Sequence, residues 1–243
     1  MTLTARRLLA EFIGTALLVC VVVGSGIAAR QLSPGDTGMQ LLENSTATVL
    51  GLGVLILVFG PVSGAHFNPA VSMADWFAGR RNGTGLSSTE LGGYCLAQVA
   101  GAVAGSVLAN IMFDQAALQV STHHRVTTGH LVGEVVATAG LIVVIFALAR
   151  SGRAALSAAA VAAYIGAAYW FTSSTSFANP AVTIGRIFSD TFAGIAPASA
   201  PGYIAAQIIG AAIGLGLIGL LYPDPNPAEN VVTPHPSKGS PHP

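Results

Sequence analysis

The sequence has very little charge: 8% of its 243 residues are Asp, Glu, Lys or Arg, against 52% that are hydrophobic. Soluble domains carry about a quarter of their residues charged, so water is not the main solvent for this chain. The few charges also cancel, 10 basic against 10 acidic, which removes the basic footprint that a nucleic-acid-binding surface needs. No nucleic-acid partner is expected. Cysteine is scarce as well. Cys20 and Cys95 sit inside apolar runs, where they read as small buried hydrophobes, and there is neither a disulfide framework nor a CxxC pair. Neither a metal site nor a cofactor is called for. Catalytic groupings are missing too: Ser173, Ser174 and Ser176 stand together in TSSTSFANP without a histidine or carboxylate in the same segment. A nucleophile without a base argues against an enzyme.

What the chain does have is long apolar runs. Six of them, near 8–29, 46–62, 91–113, 131–149, 154–171 and 202–222, approach the roughly 20 residues that cross a hydrocarbon core of about 30 Å as a helix. An even number of crossings puts both termini on one side. Arg6 and Arg7 precede the first run, Arg80 and Arg81 follow the second, and Arg150 and Arg153 join the fourth to the fifth. The opposite loops hold only Arg30, Arg125 and Arg186, so the positive-inside rule turns the termini to the cytoplasm. The first run is too long for a signal peptide, carries Glu11 and lacks an Ala-x-Ala cleavage site. The chain divides into an apolar unit, 1–222, and a proline-rich end, 223–243, whose prolines stop both helix and strand. The latter reads as a disordered cytoplasmic tail, with His235 and His242 as solvated residues rather than metal ligands.

The chain also repeats itself. HFNPAVSM at 66–73 returns as FANPAVTI at 177–184, 111 positions later. Glu11 and Thr15 match Glu134 and Thr138, while Tyr94, Gln98 and Gly101 match Tyr203, Gln207 and Gly210. The halves, 5–113 and 130–222, each hold three crossings, and an odd number makes the second half lie upside down. Such inverted 3+3 repeats place their functional centre near the bilayer midplane.

Asn followed by Pro starts a helix: the side chain caps free amides, and the fixed φ of proline suits the first turn. Asn68-Pro69-Ala70 and Asn179-Pro180-Ala181 therefore each open a helix, and about ten residues reach about 15 Å, half the core. By the inverted symmetry these half-helices meet at their N-termini, each bringing roughly half a positive charge. A cation loses hydration there and is repelled, whereas a neutral molecule with a lone pair is accepted. A water held by both carboxamides points its hydrogens outward and cannot relay a proton. An ion-coupled secondary transporter shares broken helices and inverted repeats, but needs acids at its centre, and Glu11 and Glu134 lie outside the half-helices.

With these paired motifs the chain closely resembles the major intrinsic protein family, the aquaporins and glycerol facilitators, over about residues 5–222. The resemblance implies an all-α membrane protein of six transmembrane helices and two half-helices, one pore per subunit, and a homotetramer. It implies passive passage of water and small neutral solutes through a lipid bilayer, with a water-selective pore as the alternative. It assigns Glu11 and Glu134 to holding the loops before each half-helix, which need internal partners at membrane depth. His66 matches a loop histidine of the family, in a structural role or as a proton-sensitive gate. Gln98 and Gln207 read as interhelical clasps beside close-packed glycines. His123, His124 and Arg125 read as a solvated loop, or else as part of a vestibule.

The family's constriction counts from the motifs: Thr48 lies 20 before Asn68, and Ala167, Ser176 and Val182 lie 12 before, 3 before and 3 after Asn179. The last is arginine in most members and valine here, so with small residues around it the filter is expected to be wide. Arg186, one turn beyond Val182, either reaches back to the filter or turns outward to loop carbonyls or Asp190. Snorkelling favours the second. The TSSTSFANPAV context resembles a bacterial branch found beside arsenic-resistance genes, implying an inner-membrane location and arsenite as a solute alongside polyols.

Overall fold

The computed structural model describes residues 2–80 and 83–223. Arg81 and the expected tail, apart from residue 223, lie outside the described residues. Eight α-helices are present among them: α1 (Leu3–Leu32), α2 (Thr37–Ser63), α3 (Pro69–Gly79), α4 (Ser88–Met112), α5 (Thr128–Arg150), α6 (Ser157–Phe171), α7 (Pro180–Gly185) and α8 (Ala200–Leu221). Six spans are long and apolar enough to cross a membrane, and α3 and α7 are the two short exceptions. The second half-helix is shorter than the sequence suggests. It passes into a 3₁₀ turn, Arg186–Phe188, where α3 runs on to Gly79.

Local chemistry fixes the helix starts. Thr2, Asp36, Ser87 and Thr127 each cap a free amide of the following helix through a side-chain oxygen, and Ser87 with Glu90 completes a reciprocal capping box. α2 stops at Gly64, whose φ of 87° is open to glycine at little cost.

The halves pack alike. α1 lies along α4 and α5 along α8, with α2 against α1 and α6. The first two contacts are backbone-close: a Cβ at Gly101 or Gly105 would run into the carbonyls of Phe12 and Ala16, and one at Gly210 or Gly214 into those of Val135 and Ala139. With lipid outside there is no hydrophobic drive between helices, so small residues supply close van der Waals contact instead. The outward faces are apolar, as at Leu50, Val54, Leu57 and Leu96, which suits hydrocarbon and would be costly in water.

Candidate functional site

The two Asn-Pro-Ala motifs meet at the centre of the molecule. Asn68 is extended, at φ −152° and ψ 115°, and its Oδ1 accepts from the Ala70 amide at 2.9 Å. Asn179 repeats this at φ −157° and ψ 112°, with Oδ1 accepting from Ala181 at 2.9 Å and Val182 at 3.2 Å. The Nδ2 groups cross over. Asn68 donates to the Ala178 carbonyl at 2.7 Å, and Asn179 donates to the Phe67 carbonyl at 2.8 Å. A carboxamide has two N–H bonds, so each asparagine spends one on the opposite half and keeps one for the cavity that both line.

The segments leading into these caps are strained in matching places. Ala65, Phe67, Ser176 and Ala178 all have φ of 49°, a left-handed conformation that costs a non-glycine residue on the order of 1–2 kcal/mol. Two buried glutamates hold them. Glu11 accepts from the amides of His66 at 3.0 Å and Phe67 at 2.7 Å, from Ser63 Oγ at 2.6 Å and from Gln98 Nε2 at 2.8 Å. Glu134 accepts from the amides of Phe177 and Ala178, both at 2.9 Å, and from Gln207 Nε2 at 2.6 Å. Each glutamine also donates to a half-helix hydroxyl, Gln98 to Ser72 and Gln207 to Thr183, both at 2.9 Å. Nonhelical backbone is thus satisfied from within the protein, which hydrocarbon requires. His66 Nδ1 lies 3.0 Å from Ser72 Oγ, and its ring meets Tyr94 edge-on at 5.3 Å.

Between the loops runs a cavity of about 90 Å³, lined by both asparagines, Val71, Thr48, Tyr169, Ser176, Val182 and Arg186 among others, with no Asp or Glu among the described lining residues. Thr48, Ser176 and Val182 thus share one chamber. Ala167 does not join them. It is exposed on the outer face of α6, and the buried Tyr169 faces the chamber instead, its phenol 3.3 Å from Thr48 Oγ1. A slip of two residues turns a side chain by about 200° around a helix, which is why counting along the chain chose the wrong face. The expectation of a wide chamber lined by small residues is corrected accordingly, since a phenol and a guanidinium both border it.

Arg186 satisfies parts of both expected positions. It is 2% exposed, its Nε donates to the Ala193 carbonyl, and its guanidinium lies 3.5 Å from the Phe177 ring centroid while lining the chamber. Asp190 is not its partner. That carboxylate accepts from the Thr122 amide at 2.8 Å and the Thr122 hydroxyl at 3.0 Å, and the amide bond in particular holds it below the usual aspartate range. In the loop after α4, His123 and His124 are exposed, but Arg125 is no free surface residue: it donates to the carbonyls of Phe192 and Gly194. Tyr169 and Arg125 are the residues that sequence reasoning misplaced or left as background. A tyrosine on an apolar helix and an arginine in a polar loop carry no motif to separate them from their neighbours.

Known proteins resemble the chain in sequence and in fold. The family model described as major intrinsic protein matches residues 2–177. An aquaglyceroporin, AqpS, of Rhizobium meliloti is 46% identical over 213 residues, 88% of each chain. The glycerol uptake facilitator protein of Pseudomonas aeruginosa is 31% identical over 86% of this chain and 85% of its own length. Among solved structures, the aquaglyceroporin from Plasmodium falciparum superposes with a TM-score of 0.64 at 21% identity, over 88% of this chain and 95% of that one, a likeness of fold.

Proposed function

The chain belongs to the major intrinsic protein family, and from that premise we propose that it is a passive transmembrane channel for water and small uncharged solutes such as glycerol. One observation carries the reading: two capped helix N-termini face each other across a cavity, and each contributes one uncommitted carboxamide N–H. A passing oxygen accepts from Asn68 and Asn179, whereas a cation meets two positive helix ends and no carboxylate in the lining. The same lack of acids argues against coupling to an ion gradient.

Selectivity belongs to the chamber formed by Thr48, Tyr169, Ser176 and Val182 with Arg186. The phenol and the guanidinium narrow it and favour a second reading, a pore that passes water well and larger solutes poorly. The unit 1–222 carries the channel as two inverted halves. Its expected setting is a homotetramer of separate pores in a bacterial inner membrane, with cytoplasmic termini.

Stopped-flow light scattering on proteoliposomes separates the readings by comparing water, glycerol and arsenite. Glycerol and arsenite entering faster than in empty vesicles, without response to a pH gradient or membrane potential, is the expected result. Water flux alone would leave the narrower reading, and uphill uptake driven by either gradient would end both.

A further inference from the structure

Three successive carbonyls in the loop after α7 are gripped by two arginines from distant parts of the chain. Arg125 donates from Nη2 to the Phe192 carbonyl and from Nε to the Gly194 carbonyl, each at 2.7 Å. The carbonyl between them, Ala193, accepts from Arg186 Nε. Both guanidinium groups lie over the Phe177 ring, 3.5 Å from its centroid for Arg186 and 5.5 Å for Arg125. That ring is itself fixed, since the Phe177 amide donates to Glu134 and Tyr203 meets the ring edge-on at 5.1 Å. Arg186 therefore has an aromatic floor and one anchor, and Arg125 holds the peptide units on both sides of the anchor. With Nε committed, the Nη nitrogens of Arg186 have no hydrogen-bond partner among the described residues and Arg186 borders the chamber. Ser176 borders the same chamber, 3% exposed, with a hydroxyl that has no partner either.

We propose that Arg186 supplies the cationic donor of the constriction from one helical turn beyond Val182, and that Arg125 is its positioning residue. The inference rests on the channel reading. A polyhydroxylated neutral solute accepts from the Arg186 Nη groups and exchanges a hydrogen bond with Ser176, while its carbon face slides past Val182. The fork of Arg125 spans two carbonyls at once; a lysine in its place keeps the charge but offers a single ammonium point in place of the planar fork. The Ala193 carbonyl then swings, and Arg186 loses its direction.

The test is the ratio of glycerol to water permeability in proteoliposomes, with folded channel counted by size exclusion and circular dichroism. Arg186→Gln, smaller and neutral, is expected to raise the ratio by about twofold to tenfold, because the width it opens to glycerol outweighs the one hydrogen bond it removes. Arg125→Lys is expected to shift it in the same direction, and to shift it no further in the Arg186→Gln background, because the two substitutions remove one device. A purely structural Arg125 would lower both fluxes with the number of folded channels and leave the ratio unchanged, or would add fully to Arg186→Gln; either result overturns the positioning role. An unchanged ratio in Arg186→Gln alone overturns the whole proposal, even if Arg125→Lys does not fold. A wild-type protein that passes neither solute removes the channel reading itself, an outcome distinct from a permeable wild type with unresponsive variants.

Discussion

Seven positions beyond its capping asparagine, the first half-helix carries Asp75 and the second carries Arg186, both buried. Nearer the centre the halves are almost copies: the same caps, the same crossed carboxamides, the same left-handed residues and the same glutamate-glutamine pairs. The likeness stops where the two ends meet different surroundings. Asp75 accepts from the Leu86 amide at 3.0 Å and ties down the segment returning to α4. Arg186 occupies the matching place, but its guanidinium opens to the chamber. The need for internal partners is the same in both halves at membrane depth, so it keeps one solution twice. On the proposed channel reading, selectivity needs one constriction, and a guanidinium that borders the chamber in only one half sets it to one side of the midplane.

The largest effect expected from probing this comparison lies in the shared part. Glu11 and Glu134 each accept from two loop amides, a serine hydroxyl and a glutamine, and removing either leaves buried amides unpaired beside strained residues. Each unpaired group costs about 1–3 kcal/mol, so Glu11→Ala and Glu134→Ala should each cost about 3 kcal/mol or more. Thermal unfolding in detergent reads this directly; small losses would mean that the loops are held by something else.

The shared part was also the legible part. Asn-Pro-Ala announces a capped half-helix through side-chain chemistry alone, and its second copy, with Glu134 and Gln207 in register, announces the inversion. The left-handed φ values at Ala65, Phe67, Ser176 and Ala178 gave no such sign, because only glycine advertises that conformation in a sequence. Ala167 shows the second kind of failure. A position counted from a motif carries over only when the connecting segment has the same length, and two residues sufficed to exchange Ala167 for Tyr169. Arg186 shows a third: its Nε donates to the Ala193 carbonyl seven residues on, in a loop whose neighbouring carbonyls accept from Arg125 in another part of the chain, and no local pattern encodes that arrangement.

The caps come next in size. Asn179 accepts from two amides and Asn68 from one, and losing a cap costs about 1 kcal/mol. Asn68→Ala and Asn179→Ala should both lower folded yield and solute flux, Asn179→Ala more. Unchanged flux and stability in both would remove the asparagines from the conduction path.

A paired substitution in the conduction path tests where the symmetry breaks. Val71 and Val182 hold matching positions after each motif and both line the cavity. Val182→Arg adds a guanidinium beside that of Arg186, so bulk and like charge act together, and glycerol flux should fall about tenfold more than water flux, equivalent to about 1.4 kcal/mol in the barrier. Val71→Arg has no such neighbour one turn on and should change the ratio less. Equal ratios in the two variants would place the constriction at the midplane rather than in the outer chamber.

The smallest effect concerns the far end of the second segment, where Asp190 stands eleven positions after its asparagine and Gly79 eleven after the other. Glycine has no side chain to ionise, so only the second half can show a carboxylate titration here. Thr122 donates to Asp190 from both its amide and its hydroxyl, and its amide is the main cause of the lowered Asp190 pKa. A depressed folded pKa means that the contribution is fully present above the ordinary aspartate value of about 4, and is lost as pH falls through the folded value. The site is solvent-accessible and screened, so the contribution amounts to a few tenths of a kcal/mol at most. Asp190→Asn should therefore unfold slightly more easily than wild type near neutral pH, and the gap should close below about pH 4 as the wild-type carboxylate takes up its proton. Thermal unfolding from acid to neutral pH measures it. A gap that stayed constant with pH, or widened in acid, would mean that Thr122 holds this loop by the shape of its contacts, with the charge on Asp190 contributing nothing.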